Sequence, residues 1–137
     1  MRFLMMVKSS KESEAGAMPD EKLLTSMGKF NEELQKAGVL LDLAGLQPSS
    51  KGARVYFANG TRSVVDGPFS EAKELVGGYW VVQMKSLEEA IEWAKRVPFD
   101  DGEAQIEIRR LSELEDFAPS EAIDRARKLG EELAKQK

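Results

Sequence analysis

The sequence predicts an α+β domain of ferredoxin-like type: a βαββαβ protomer with an inserted hairpin and a C-terminal helix. Three observations predict it. Short apolar runs of strand character alternate with helical periodicity in the order strand, helix, strand, hairpin, strand, helix, strand, helix. The dipeptide Asn59-Gly60 stands between two strand-like runs, and both residues tolerate the positive φ of a type I′ turn. The strands at 2–8 and 79–84 are apolar on both faces, whereas two helices cover only one face of a sheet. Either a second sheet packs on the other face, making a homodimer, or the C-terminal helix folds over it.

The elements follow in order. Residues 2–8 (RFLMMVK) are an apolar run closed by polar residues, a buried strand, and the small polar stretch 9–18 reads as a loop. Pro19, Asp20 and Glu21 open a helix, since proline fits the first turn and acids meet the positive end of the dipole. Leu23, Met27, Phe30, Leu34 and Ala37 form its apolar stripe, and Gly38 stops it. A second strand spans 39–46, with Asp42 interrupting it at a sheet edge or in a cleft. The hairpin joins ARVYFA to TRSVVDG, and YWVVQM at 79–84 is the next strand, led in by Gly77-Gly78. Ser86 and Glu89 make a capping box for a helix that ends at Pro98, with Leu87, Ala90, Ile91 and Ala94 on one face. Residues 104–109 alternate as a half-exposed strand, and Pro119-Ser120 opens a charged last helix with Ala122, Ala126, Leu129 and Leu133 in its stripe. The expected division is a body at 1–117 and an accessory helix at 118–137.

Composition closes off much chemistry. The chain has 137 residues, no cysteine and no histidine, which excludes a thiolate nucleophile, a histidine-based triad and any His/Cys zinc or haem site. Proton chemistry would fall to a carboxylate, lysine or tyrosine shifted by its surroundings. No cofactor or metal is expected; the acidic pair Asp100-Asp101 lacks a spaced ligand set and reads as loop solubility. A net charge of −4 without a basic stripe argues against nucleic acid as a partner. The apolar N-terminal run is too short for a signal peptide or a membrane span, so a cytoplasmic location and no membrane partner are expected.

The candidate site centres on Asp66-Gly67-Pro68-Phe69. Two roles stand open for Asp66. It either caps a turn that Gly67-Pro68 fixes while Phe69 plugs the core, or it is a positioned general base. Lys73 is its expected catalytic companion. Gly67, Pro68, Phe69, Glu74 and Tyr79 are the expected ligand-binding residues, Tyr79 because it follows a glycine pair that lets backbone approach a ligand. Ser70 and Lys73 match the S-x-x-K pattern of serine acyl-transfer enzymes, but no companion motif accompanies them, and Ser70 reads as the N-cap of the turn.

The stretch 66–74, Asp-Gly-Pro-Phe-Ser-Glu-Ala-Lys-Glu, is similar to the DGPF motif of the YCII-related proteins. The likeness extends through AGVLLDLAGLQPSSKGARV and GGYWVVQMKSLEEAIEWAKRVPF, over roughly residues 1–110. The resemblance implies a protomer whose sheet pairs with a second copy as a dimeric α+β barrel. One branch of the family has a His–Asp pair in its cleft, which this histidine-free chain cannot reproduce. The chain also has Leu43-Ala44-Gly45-Leu46 where the family often shows Gly-Glu-Gly-Leu, and Arg109-Arg110 where it often shows Arg-Pro. The expected function is binding of a small organic ligand in a sheet–helix cleft, with cofactorless lyase or isomerase chemistry at Asp66 and Lys73 as one form. The alternative is a non-catalytic regulatory or protein-interaction module of the sigma-factor-associated type.

Overall fold

The computed structural model describes residues 1–100, 102 and 104–136. Four strands form the main sheet: β1 (Arg2–Lys8), β2 (Leu40–Gly45), β5 (Val76–Gln83) and β6 (Ile106–Arg110). They lie in the order β2-β5-β1-β6, and every neighbouring pair is antiparallel. With α2 (Glu21–Lys36) and α3 (Leu87–Lys95) as the crossovers, this is the ferredoxin-like arrangement. Strands β3 (Ala53–Ala58) and β4 (Thr61–Asp66) form a separate two-stranded sheet, joined by Asn59 (φ 48°) and Gly60 (φ 75°) as the dipeptide demanded.

Register explains the two-faced strands. Met5 pairs with Trp80 and Phe3 with Val82, so these four share one face. The helices cover that face. Phe30 of α2 meets Trp80 edge to face at 5.5 Å and Trp93 of α3 at 6.3 Å. Met5, Leu34 and Val82 are fully buried there, each worth about 1.5–3 kcal/mol by transfer from water. The Trp80 indole donates to Asn31 Oδ1 at 2.7 Å, which satisfies its one polar atom. On the other face Leu4 pairs with Val81 and Met6 with Tyr79, and all four stay partly exposed.

Several elements depart from the sequence expectation. The stretch 9–18 is not wholly loop: Lys11–Glu14 makes one helical turn, α1. Its N-cap Ser10 and Ser13 bond reciprocally, Ser13 N–H to Ser10 Oγ at 3.0 Å and Ser10 N–H to Ser13 Oγ at 2.9 Å. Strand β5 starts at Val76 rather than 79, because glycine at 78 admits Ala44 of β2, whose oxygen would lie 3.1 Å from a Cβ there. In α3 the face turned inward carries Ala90, Trp93 and Ala94, while Leu87 and Ile91 are exposed. Asp42 lies exposed on the edge strand β2, its carboxylate accepting the Leu43 N–H at 2.9 Å. The last helix, α4 (Glu121–Lys135), packs chiefly on the 3-10 turn Leu114–Asp116; Ile123 and Ala126 are half-buried, Leu129 and Leu133 exposed.

Candidate functional site

The chain around the Asp66-Gly67-Pro68-Phe69 turn is assembled by one serine. Ser49, in the 3-10 turn Ser49–Lys51, donates its N–H to Glu14 Oε2 at 2.9 Å and its hydroxyl to the same carboxylate. The Phe69 N–H in turn donates to Ser49 Oγ at 3.0 Å. The Ser49 carbonyl oxygen stands 1.8 Å from where a Cβ on Gly67 would lie, so only glycine fits at 67. Gly67 N–H donates to Gly52 O at 3.1 Å, and the Gly67-Pro68 peptide is cis. The Arg54 guanidinium sits 3.8 Å over the Phe69 ring. These contacts join α1, the end of β2 and both ends of the hairpin.

A cavity of about 920 Å³ opens beside this junction. The end of β1, α1, the start of α2 and the turn 70–74 surround it, because β1 ends beside the start of its antiparallel partner β5. Its polar lining residues include Lys8, Lys11 and Lys73, the serines Ser9, Ser13 and Ser70, and two acids, Glu12 and Glu71. Val7, Leu23 and Phe99 supply apolar surface. Ser9 is the buried polar side chain among the described residues; its N–H donates to Leu75 O at 2.8 Å. Lys8 Nζ lies 3.6 Å from Glu107 and 3.5 Å from the Glu74 carbonyl, which holds the cation at the rim of the cavity. With three lysines against two glutamates, four serines including Ser10, and an apolar wall, the lining keeps one positive charge in excess, which suits a small organic molecule with an anionic group.

The expected site residues do not all meet. Lys73, in the 3-10 turn Ala72–Glu74, lines the cavity. Asp66 is exposed at the end of β4, across from Ala53, and is outside the cavity lining. Gly67, Pro68 and Phe69 belong to the junction at Ser49. Glu74 is exposed and offers its carbonyl to Lys8, while Tyr79 lies on the helix-free face opposite Met6. Ser70 lines the cavity rather than capping the turn, whose N-cap is Glu71. The lining residues Ser9, Ser10, Lys11 and Ser13 were not singled out from sequence. The Ser10–Ser13 spacing is a capping signal that marks them.

A second hollow, about 440 Å³, lies between Arg2, Arg110, Glu113 and Asp116, and its charges pair among themselves. Arg2 Nε meets Glu113 Oε1 at 2.9 Å, and Arg110 approaches Asp116 at 3.7 Å. The hydrogen bond from Arg2 holds the Glu113 carboxyl below the usual carboxylate range, and the same bond raises the Arg2 pKa. Among the described residues no three acids gather to hold a metal, and no helix is long and apolar enough to cross a membrane. Asp101, of the acidic pair at 100–101, lies outside the described residues.

The sequence model of the YCII-related domain matches residues 1–115. An uncharacterised protein of Rhizobium meliloti (strain 1021) is 32% identical over 76 residues, 56% of this chain and 61% of that protein. The match thus spans about three-fifths of the length of that curated relative.

Proposed function

The chain belongs to the YCII-related family, and on that premise we propose that it binds a small organic anion in the cavity between α1 and the turn 70–74. One observation carries the reading: Lys8, Lys11 and Lys73 line, together with serines, a cavity that has Val7, Leu23 and Phe99 in its wall. In this reading Lys73 meets the anionic group, Ser9 orients it, and the apolar wall takes the body of the ligand. Asp66, exposed and outside the lining, serves the turn rather than the ligand, which favours a binding or regulatory role over lyase or isomerase chemistry at an Asp66–Lys73 pair. The protein works as a homodimer joined through Leu4, Met6, Tyr79 and Val81 on the face the helices leave bare.

Amide chemical-shift mapping with a panel of small aromatic and aliphatic carboxylates and phosphate esters tests the ligand. The expected shifts fall on residues 8–13 and 70–77, and Lys11→Gln and Lys73→Gln each weaken binding by about 10-fold or more. Binding that ignores both substitutions, or shifts confined to other surfaces, overturns the reading. Light scattering tests the dimer: Met6→Glu should dissociate it, and a monomeric wild type refutes it.

A further inference from the structure

The hairpin arm, residues 53–66, has no part in the cavity lining and none in the buried core. Every residue of β3 and β4 is exposed. One face of the ribbon aligns Val55 with Val64 and Phe57 with Arg62, whose guanidinium lies 4.4 Å over the Phe57 ring. Phe57 is 70% exposed and Val64 64%. A lone two-stranded ribbon is marginal in water, and an apolar face of this kind marks a contact surface.

We infer that this arm grips a second copy of the chain, laying its Val55–Phe57–Val64 face on the partner's body beside the helix-free sheet. The base of the arm argues that the cover comes in trans. Gly67 is pinned under the Ser49 carbonyl, its N–H is bonded to Gly52, and Arg54 is stacked on Phe69. Both strands are therefore clamped where they leave the body, and the arm is held away from its own core.

Area and charge argue that the occupant is another copy. Four strands about 4.8 Å apart and about 20 Å long give the helix-free face a footprint of about 400 Å². A standard interface takes about 800 Å² from each partner. A ribbon of two six-residue strands adds about 200 Å² given and, by two-fold symmetry, about 200 Å² received. The arm thus supplies the shortfall. Arg54 and Arg62 against Asp66 give the arm a net charge of +1; with the whole chain at −4, the body it meets carries −5.

The inference rests on the dimer proposed above, and the test separates the two. Sedimentation equilibrium of the full chain is compared with Phe57→Glu/Val64→Glu and with Met6→Glu, and each fold is checked by Trp80 fluorescence and thermal melting. Both altered arm residues are exposed and outside the core, so the melting of the isolated protomer should not change. The expected result is a dimer whose dissociation constant rises about 100-fold in the arm variant. Arm amides 54–65 should exchange slowly in the wild-type dimer and fast in the variant. An arm variant that dissociates like wild type, with arm amides equally unprotected in both, overturns the inference whatever Met6→Glu does. If the arm variant dissociates and Met6→Glu does not, the arm stands and the sheet-face reading fails. A monomeric wild type overturns both and leaves the arm to a different protein or a lipid surface.

Discussion

Replacing Gly67 with alanine inserts one methyl group into the junction that holds α1, the hairpin and the cavity wall together. The new Cβ would stand 1.8 Å from the Ser49 carbonyl oxygen and 2.5 Å from its carbon, both backbone atoms, so the 3-10 turn must move. Overpacking of this kind costs about 1–3 kcal/mol. Moving Ser49 also strains its two bonds to the Glu14 carboxylate and the one it accepts from Phe69 N–H. Bonds to a charged group are worth about 1.5–3 kcal/mol and a neutral one about 1 kcal/mol, of which part is lost. Alanine stiffens the unfolded chain and returns about 0.4–1 kcal/mol. The net expectation is a loss of about 2–4 kcal/mol, with Tm falling by about 6–16 °C for a chain of this length. Gly52→Ala is the matched control. Its Cβ meets the same Ser49 oxygen at an ordinary 3.6 Å, so stability should stay within about 0.5 kcal/mol. Calorimetry of the two variants decides the matter. A Gly67→Ala protein that melts within about 2 °C of wild type refutes the close approach and with it the junction.

Three further outcomes are expected. Asn31→Ala leaves the largely buried Trp80 indole N–H without its acceptor and should lower stability by about 1–3 kcal/mol in denaturant titration, with no change in assembly. Glu113→Gln removes a carboxylate whose pKa is lowered by Arg2, so the stabilisation it loses is one present above the ordinary glutamate range. Because the pair is partly solvated, the gap between wild type and variant should be no more than about 1 kcal/mol at pH 7. It should close as pH falls through about 4.3 and below, and a gap that widens in acid contradicts the sign. Truncation after Phe117 removes α4, which buries no residue and carries Gly130 in its interior, where glycine weakens a helix by about 1 kcal/mol relative to alanine. The shortened chain should stay folded by circular dichroism; an unfolded product would show that α4 covers the body.

The order of elements was legible because strand and helix periods are local. Met5, Trp80 and Val82 alternate with Leu4, Tyr79 and Val81, and any reading of period two finds both faces apolar. Phe30 and Leu34 mark the buried stripe of α2 in the same way, and Asn59-Gly60 names its own turn. Lys73 was visible beside its motif, and it does line the cavity. The remainder of the cavity was not legible, since Ser9, Ser13, Ser70 and Phe99 come from segments brought together by the pairing of β1 with β5. Nothing near Asp66 in the chain shows that its side chain stays at the end of an exposed arm. Nothing near Gly67 shows that the backbone oxygen excluding a methyl there belongs to Ser49, or that Ser49 answers to Glu14 a further 35 residues back. Sequence alone determined the order of the main strands and helices and the hairpin turn, because those preferences act over a few neighbouring residues. Tertiary structure alone decided which side chains share a cavity and which glycine has no room, because both depend on distances between segments far apart in the chain.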